Sequence, residues 1–289
     1  MEKLKVAQRD LKVAQRDLKV GLIGCGAIGT IIAKAIAEDL SNRFSLVTIF
    51  DLLPEKAQML CENLSHPPKI SENFEDFLNR PMDLAIEAAS QNAVQTYGIK
   101  ILESGKDLMI MSIGVLLDDK LLNDLKSATE RYQRRIYIPS GAIAGLDAIK
   151  ASSLAGLNKV TLTTTKSPKG LKGAPYIKEK QIDLDSIIQP TLIYEGRAKE
   201  AVRFFPENVN VAASLSLAGI GKERTWVKII VDPNISENIH EIKAEGKFGN
   251  LVCRTENLPC PENPKTSYLA ALSAIKKLEE IGKGLVIGT

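Results

Sequence analysis

Two rhythms of apolar residues run along the chain. In the first half, short continuous apolar runs alternate with segments whose apolar positions recur at helical spacing. The runs predict strands at 18–23, 46–50, 83–89, 108–112 and 136–138. The helical spacing predicts helices from residue 28 with Ile28, Ile31, Ile32, Ala35 and Ile36 inward, then over 52–64, 92–104 and 118–131. Strands that are apolar on both faces and interleaved with helices specify a parallel sheet covered on both sides. Near residue 140 the rhythm changes. A helix is expected over 146–157, a Thr-rich strand over 160–165 and a basic Gly/Pro loop over 166–175. A strand at 192–195 follows, then short helices at 198–205 and 211–217. Strands at 226–232, 238–245 and 250–256, the last two flanking a turn at 246–249, read as a mostly antiparallel sheet. A Pro-rich linker, 259–264, leads to a helix over 267–281 with Tyr268, Leu272, Ile275, Leu278 and Ile281 as its apolar face. The expected fold is α/β: a doubly wound parallel-sheet domain of the Rossmann type over 18–140, then an α+β domain over 141–264. The C-terminal helix, 265–289, is expected to return to the first domain. Residues 1–17 carry a literal heptad repeat, LKVAQRD twice, and form a separate tail.

The first predicted strand meets Gly24-Cys25-Gly26-Ala27-Ile28-Gly29, and the second ends at Asp51. Strand, glycine turn, helix, strand and acid in that order are a dinucleotide-binding fingerprint in its full context. Gly24 turns the chain off the strand, Gly26 leaves the backbone open to a pyrophosphate, and Gly29 lets helix and sheet pack closely. The N–H groups of Ala27, Ile28 and Gly29 then face the phosphates from a helix N-terminus. Asp51 lies 22 positions after Gly29, counting 51 minus 29, against an expected offset of about 20. Its carboxylate suits ribose hydroxyls and repels a 2′-phosphate, so NAD is favoured over NADP.

Charge and composition narrow the field. Lys+Arg number 38 against Asp+Glu 35, a net charge of +3, which leaves no basic footprint for nucleic acid. No apolar stretch reaches the length of a membrane span, and the N-terminus lacks a signal-peptide core, so a cytoplasmic setting is expected. Cys25, Cys61, Cys253 and Cys260 have no metal-ligand spacing, so no metal is expected.

Candidate chemistry gathers at the carboxyl ends of the strands, where open α/β sheets hold ligands. Ser90, Ser112 and Ser140 all follow predicted strands, Ser90 as a candidate cofactor contact. The small-residue turn from Ser140 to Gly145 suits close backbone approach to a ring, or simply a crossing between domains. Of the two histidines, His66 sits in a Ser-His-Pro-Pro surface loop. His240 shares a strand face with Ile242 and Ala244, which fits either a core histidine or a base at a pocket rim. Asn208 and Asn210 precede a predicted helix, as a cap would, and equally suit a carboxamide. Lys166 opens the basic loop, either solvated or clamping a carboxylate.

Three stretches together resemble the archaeal and bacterial L-aspartate dehydrogenase family: the glycine turn with Asp51, SGAIAGLDAIKA at 140–151, and the pair PENVNVAASLSLAG and NISENIHEIKAEG. The resemblance spans nearly everything from residue 18 onward. It implies NAD(P)-dependent oxidation of L-aspartate to iminoaspartate, released as oxaloacetate and ammonia or handed to a quinolinate-forming enzyme of NAD synthesis. It also implies a homodimer built through the second domain's sheet. By position, His240 takes the catalytic histidine's place, with a pKa expected near neutrality, and Ala144 and Asn210 take the places that contact NAD. Homoserine dehydrogenase and a non-catalytic NAD(H) sensor are the rival readings. A paired-histidine reductase and a cysteine–histidine semialdehyde dehydrogenase both lack their motifs here.

Overall fold

The computed structural model describes residues 17–289, apart from 207, 208, 261, 262, 282, 284, 286 and 289. The repeated heptads and Asn208 lie outside the described residues.

The first unit runs β1 (Leu18–Ile23), α1 (Ala27–Ala37), β2 (Phe44–Phe50), α2 (Pro54–Glu62), β3 (Lys69–Ile70) and α3 (Phe74–Asn79). It continues with β4 (Leu84–Glu87), α4 (Gln91–Glu103), β5 (Asp107–Ile110), a 3-10 turn (Ile113–Leu117), α5 (Asp119–Tyr132) and β6 (Ile136–Tyr137). Its six strands pair in parallel in the order β3-β2-β1-β4-β5-β6, so the chain reverses direction between β1 and β4. The strands are apolar on both faces because both are covered. Val20, Leu22, Ile49, Ile86 and Met109 pack with α1, while Ala85, Leu108 and Ile110 belong to the core under α3, α4 and α5.

The second unit runs α6 (Leu146–Ala155), β7 (Leu157–Lys166), α7 (Pro168–Leu171), α8 (Pro175–Glu179), β8 (Thr191–Arg197), α9 (Ala198–Phe204) and α10 (Asn210–Ala218). It then adds β9 (Thr225–Val231), β10 (Asn238–Gly246), β11 (Gly249–Asn257), β12 (Pro259–Cys260) and β13 (Asn263–Ser267), before α11 (Tyr268–Glu280). Its sheet has the order β11-β10-β7-β9-β8, with only β7 and β9 parallel. The expected architecture, a Rossmann-type domain plus an α+β domain with a mostly antiparallel sheet, is therefore present.

Three local expectations need correction. The basic stretch 166–175 is not all loop: Pro168 and Pro175 each open a short helix, a position where the missing N–H costs nothing. The stretch 259–264 contributes to a small hairpin, β12 against β13. The last helix buries Ala271, Ala274 and Leu278, while Tyr268 and Leu272 stay 40% and 38% exposed. Alanines face inward because α11 packs against α1, where small side chains allow close approach. Arg43, just before β2, donates to the carbonyls of Glu279 (3.2 Å) and Ile281 (3.1 Å), closing the open end of α11 onto the first sheet.

The tightest backbone contact is at the glycine turn. A Cβ on Gly29 would land on the carbonyl oxygen of Gly24. Gly29→Ala is therefore expected to cost about 1–3 kcal/mol through forced backbone movement, read as a lower Tm in a thermal melt.

Candidate active site

The glycine turn has an open mouth. Gly24 adopts φ +99, and a Cβ there would meet the carbonyl oxygen of Ala88 at 2.6 Å, so only glycine fits between β1 and β4. A Cβ on Gly26 would meet nothing, so the space above it is free. Helix α1 starts at Ala27 with Gly26 as an N-cap that makes no side-chain bond. The first N–H groups of α1 thus face outward with the positive end of the helix dipole. Asp51 Oδ2 accepts from Cys25 N–H (2.7 Å) and Oδ1 from Leu53 N–H (2.9 Å). The carboxylate first clasps the turn to the end of β2, and it retains lone pairs for a ligand hydroxyl. A cleft runs from Gly24 and Gly26 past Asp51, Lys56 and Ser90 to Tyr97. Ser90 caps α4, its Oγ accepting from Ala93 N–H at 3.2 Å. These residues line one groove at the carboxyl edge of the sheet, beside the free N–H groups of α1.

Glu87 escaped the sequence reading because it hides in the apolar run 83–89. It is 1% exposed at the carboxyl end of β4. Its Oε1 accepts from Ala89 N–H (2.8 Å), Ser90 N–H (2.9 Å) and Ser112 Oγ (2.7 Å), and its Oε2 from Ser112 N–H (3.0 Å). Burial pushes the carboxyl above its ordinary range, and these four donors oppose that shift. An acid closing an apolar strand was the available signal.

A second cleft, with a volume of about 100 Å³, lies between the two units. Ile28 of the nucleotide turn lines it together with His240, Lys166 and Asn210 of the second unit. His240 is 4% exposed, and its Nδ1 lies 3.0 Å from Thr164 Oγ1 on the neighbouring strand β7. Burial, reinforced by the charge of Lys166, pushes its pKa down to about 3. The imidazole is therefore neutral, which corrects the expectation of a near-neutral pKa. Lys166 is buried rather than solvated, as the last residue of β7. Gly170 lies against its side chain, where an added Cβ would come within 3.3 Å.

Asn210 is the first residue of α10 and does not cap it. Its Oδ1 accepts from Gly114 N–H (2.9 Å) in the 3-10 turn of the first unit, so it bridges the two halves. Ala144 is exposed and lines a neighbouring cleft with Ser140, Leu272 and Ser273. From its turn, Gly141 and Ala142 are the residues that reach the His240 cleft. The reason is a backbone reversal at Gly141 (φ +69), pinned by Gly141 N–H to Ser273 Oγ (3.0 Å). The carbonyl of Ala142 is held by Thr255 Oγ1 (3.0 Å) and Asn257 Nδ2 (2.9 Å). His66 is exposed and lines neither cleft. Among the described residues no cluster of His, Cys, Asp and Glu is arranged to hold a metal ion. No helix among them is long and apolar enough to cross a membrane.

Residues 147–281 match the family model for the aspartate dehydrogenase C-terminal domain. A relative from Methanosarcina barkeri, called L-aspartate dehydrogenase, is 48% identical over 270 residues, covering 93% of this chain and 99% of its own length. The chain belongs to the L-aspartate dehydrogenase family. A relative of the same name from Nitrosopumilus maritimus is 46% identical over 90% of this chain and 95% of its own. The crystal structure of aspartate dehydrogenase from Thermotoga maritima superposes with a TM-score of 0.74 at 25% identity, covering 94% of this chain and 100% of that one. The model for the homoserine dehydrogenase NAD-binding domain matches residues 24–139 only. Membership of the aspartate dehydrogenase family thus rests on relatives aligned along nearly the whole chain, with the C-terminal family model covering the part that carries His240, and the homoserine dehydrogenase alternative is not favoured.

The depressed histidine has a thermodynamic signature. Below pH 6.5 the unfolded chain protonates this imidazole while the folded chain does not. The stability it contributes is complete above pH 6.5 and is lost as pH falls towards 3, by up to about 1.4 kcal/mol per pH unit. Denaturant melts from pH 7 to pH 4 are expected to show wild type losing stability relative to His240→Asn over that window.

Proposed function

We propose that the chain oxidises L-aspartate at Cα, giving iminoaspartate that water converts to oxaloacetate and ammonia. The observation that carries this reading is a neutral, fully enclosed histidine in the cleft where the nucleotide turn meets the second sheet. NAD, when bound along the glycine turn, supplies a hydride acceptor. Asp51 favours it over NADP, because a 2′-phosphate would meet a carboxylate already fixed by two backbone N–H groups.

The remaining work belongs to the chain's own side chains. Asn210, with Gly141 and Ala142 of the turn after β6, holds the carboxamide end of the cofactor. Lys166 draws in a substrate carboxylate. The substrate's ammonium must lose a proton before its Cα–H bond can break. Thr164 occupies Nδ1 of His240, so with the proton on Nδ1 the Nε2 lone pair takes up the ammonium proton. Once that proton has passed to solvent, the same nitrogen takes a proton from the water that attacks the imine. The unit works as a homodimer through the second sheet, whose edge strand β11 leaves Val252 62% exposed. Four free cysteines suit a reducing cytoplasm, and in such a cell iminoaspartate is also available to a quinolinate-forming partner.

Purified protein mixed with NAD and a panel of amino acids tests the reading by absorbance of the reduced cofactor. Turnover is expected with L-aspartate and not with homoserine, and with a lower KM for NAD than for NADP. His240→Ala is expected to lower kcat by about 10²–10⁴ while NADH affinity stays within a few-fold of wild type. Normal turnover in that variant removes the histidine from the mechanism.

A further inference from the structure

We propose that the N-terminus of α11, with Ser267, binds one of the two carboxylates of the substrate and so selects a short dicarboxylate over a monocarboxylic amino acid. This rests on the proposed aspartate chemistry and names a subsite within it.

Helix α11 is 13 residues long and opens with Ser267 as its N-cap. Serine at that position ordinarily accepts a hydrogen bond from the helix's own first turn. Asn73, Ser90 and Asp118 cap their helices in that way. Ser267 makes no such bond. It is 6% exposed, lines the His240 cleft, and its hydroxyl has no hydrogen-bond partner among the described residues. The hydroxyl opens onto the cleft rather than being sealed in the core, which leaves it available to a ligand there.

The backbone around it is equally unspent. Tyr268 N–H donates to Leu258 O at 2.9 Å. The next two N–H groups, of Leu269 and Ala270, have no carbonyl within the helix to reach, and Ala270 itself lines the cleft. One hydroxyl and a pair of N–H groups at the positive end of a helix match the oxygens of a carboxylate. The charge balance of the cleft agrees. Its described lining holds Lys166 and a neutral His240 but no Asp or Glu. Phosphates of a dinucleotide already have a separate helix N-terminus, that of α1. With Lys166 serving one carboxylate, α11 serves the other. An amino acid lacking the second carboxylate leaves buried donors unpaired, and that penalty is where selectivity arises.

Ser267→Asp separates this role from a structural one. Aspartate caps a helix as well as serine does, so α11 keeps its stability, but a fixed negative charge opposes an incoming carboxylate. The expected result is a KM for L-aspartate raised more than about tenfold, with NADH affinity unchanged and Tm not lowered. Ser267→Ala is expected to raise KM several-fold and Ser267→Thr to restore it. Calorimetry with succinate on NADH-loaded protein provides an arm independent of turnover: wild type binds and Ser267→Asp does not. A wild-type KM in Ser267→Asp, or wild-type protein that fails to bind succinate, overturns the subsite. Succinate binding abolished by Ser267→Asp in a protein that does not oxidise L-aspartate supports the subsite and sinks the proposed reaction instead.

Discussion

Two carboxylates hold open the edge of the sheet on which the site is built. Parallel strands end at one edge with backbone N–H groups that have no further strand to pair with. Asp51 gathers those of Cys25 and Leu53, joining the turn after β1 to the end of β2. Glu87 gathers those of Ala89, Ser90 and Ser112, joining the turn after β4 to the end of β5. Between them the chain changes direction, and there the Gly24 backbone meets Ala88 with no room for a side chain. Without these acceptors the turns have no fixed separation, and a groove for a flat, charged ligand has no fixed walls.

The second unit is locked onto that edge through the 3-10 turn at Ile113–Leu117. Asn210, at the start of α10, accepts from Gly114 N–H, and Lys222, beyond its end, donates to Leu117 O and pairs with Asp119 at 2.8 Å. Gly114 has no Cβ because Val209 fills that space. α10 is thus fixed at both ends against the first unit, and β7 and β10 lie in the sheet beneath it. This sets where His240 stands relative to Ile28. The cleft is a product of the contact between units, and neither unit holds it alone.

That division explains what could be read from the sequence. The glycine turn, Asp51 and the strand rhythm were legible because their causes are local: a positive φ, a helix N-terminus, a period. His240 was legible as a strand position facing Ile242 and Ala244, but its charge state was not. That state depends on burial and on Lys166, which approaches from a different strand. Glu87 was concealed because four backbone and hydroxyl donors, drawn from two loops, make an acid acceptable inside an apolar run. The inward face of α11 was read correctly at Ile275, Leu278 and Ile281 but not in its first turns, for a related reason. Periodicity favoured the large residues Tyr268 and Leu272, whereas the short distance to α1 required Ala271 and Ala274. Asn210 looked like a cap and instead spends its side chain on another unit, a choice that only tertiary structure records.

For the proposed reaction, the electrostatics of the cleft then decide how so weak a base does its work. A proton acceptor is most useful with a pKa near the working pH, and burial and Lys166 put His240 far below it. Both causes depend on what else occupies the cleft. A dicarboxylate brings two negative charges. One neutralises the Lys166 field that disfavours imidazolium, and the second lies within the same enclosed space, where Coulomb interactions are screened far less than in water. Both raise the proton affinity of the imidazole, while desolvation in the enclosed space weakens the ammonium's hold on its own proton. In the proposed reaction the histidine is thus held neutral, with Nδ1 engaged by Thr164, until the arrival of the correct charge pattern gives it basicity. On the proposed reaction, substrate selection and base activation follow from one arrangement of charge, and a monocarboxylic amino acid falls short on both counts.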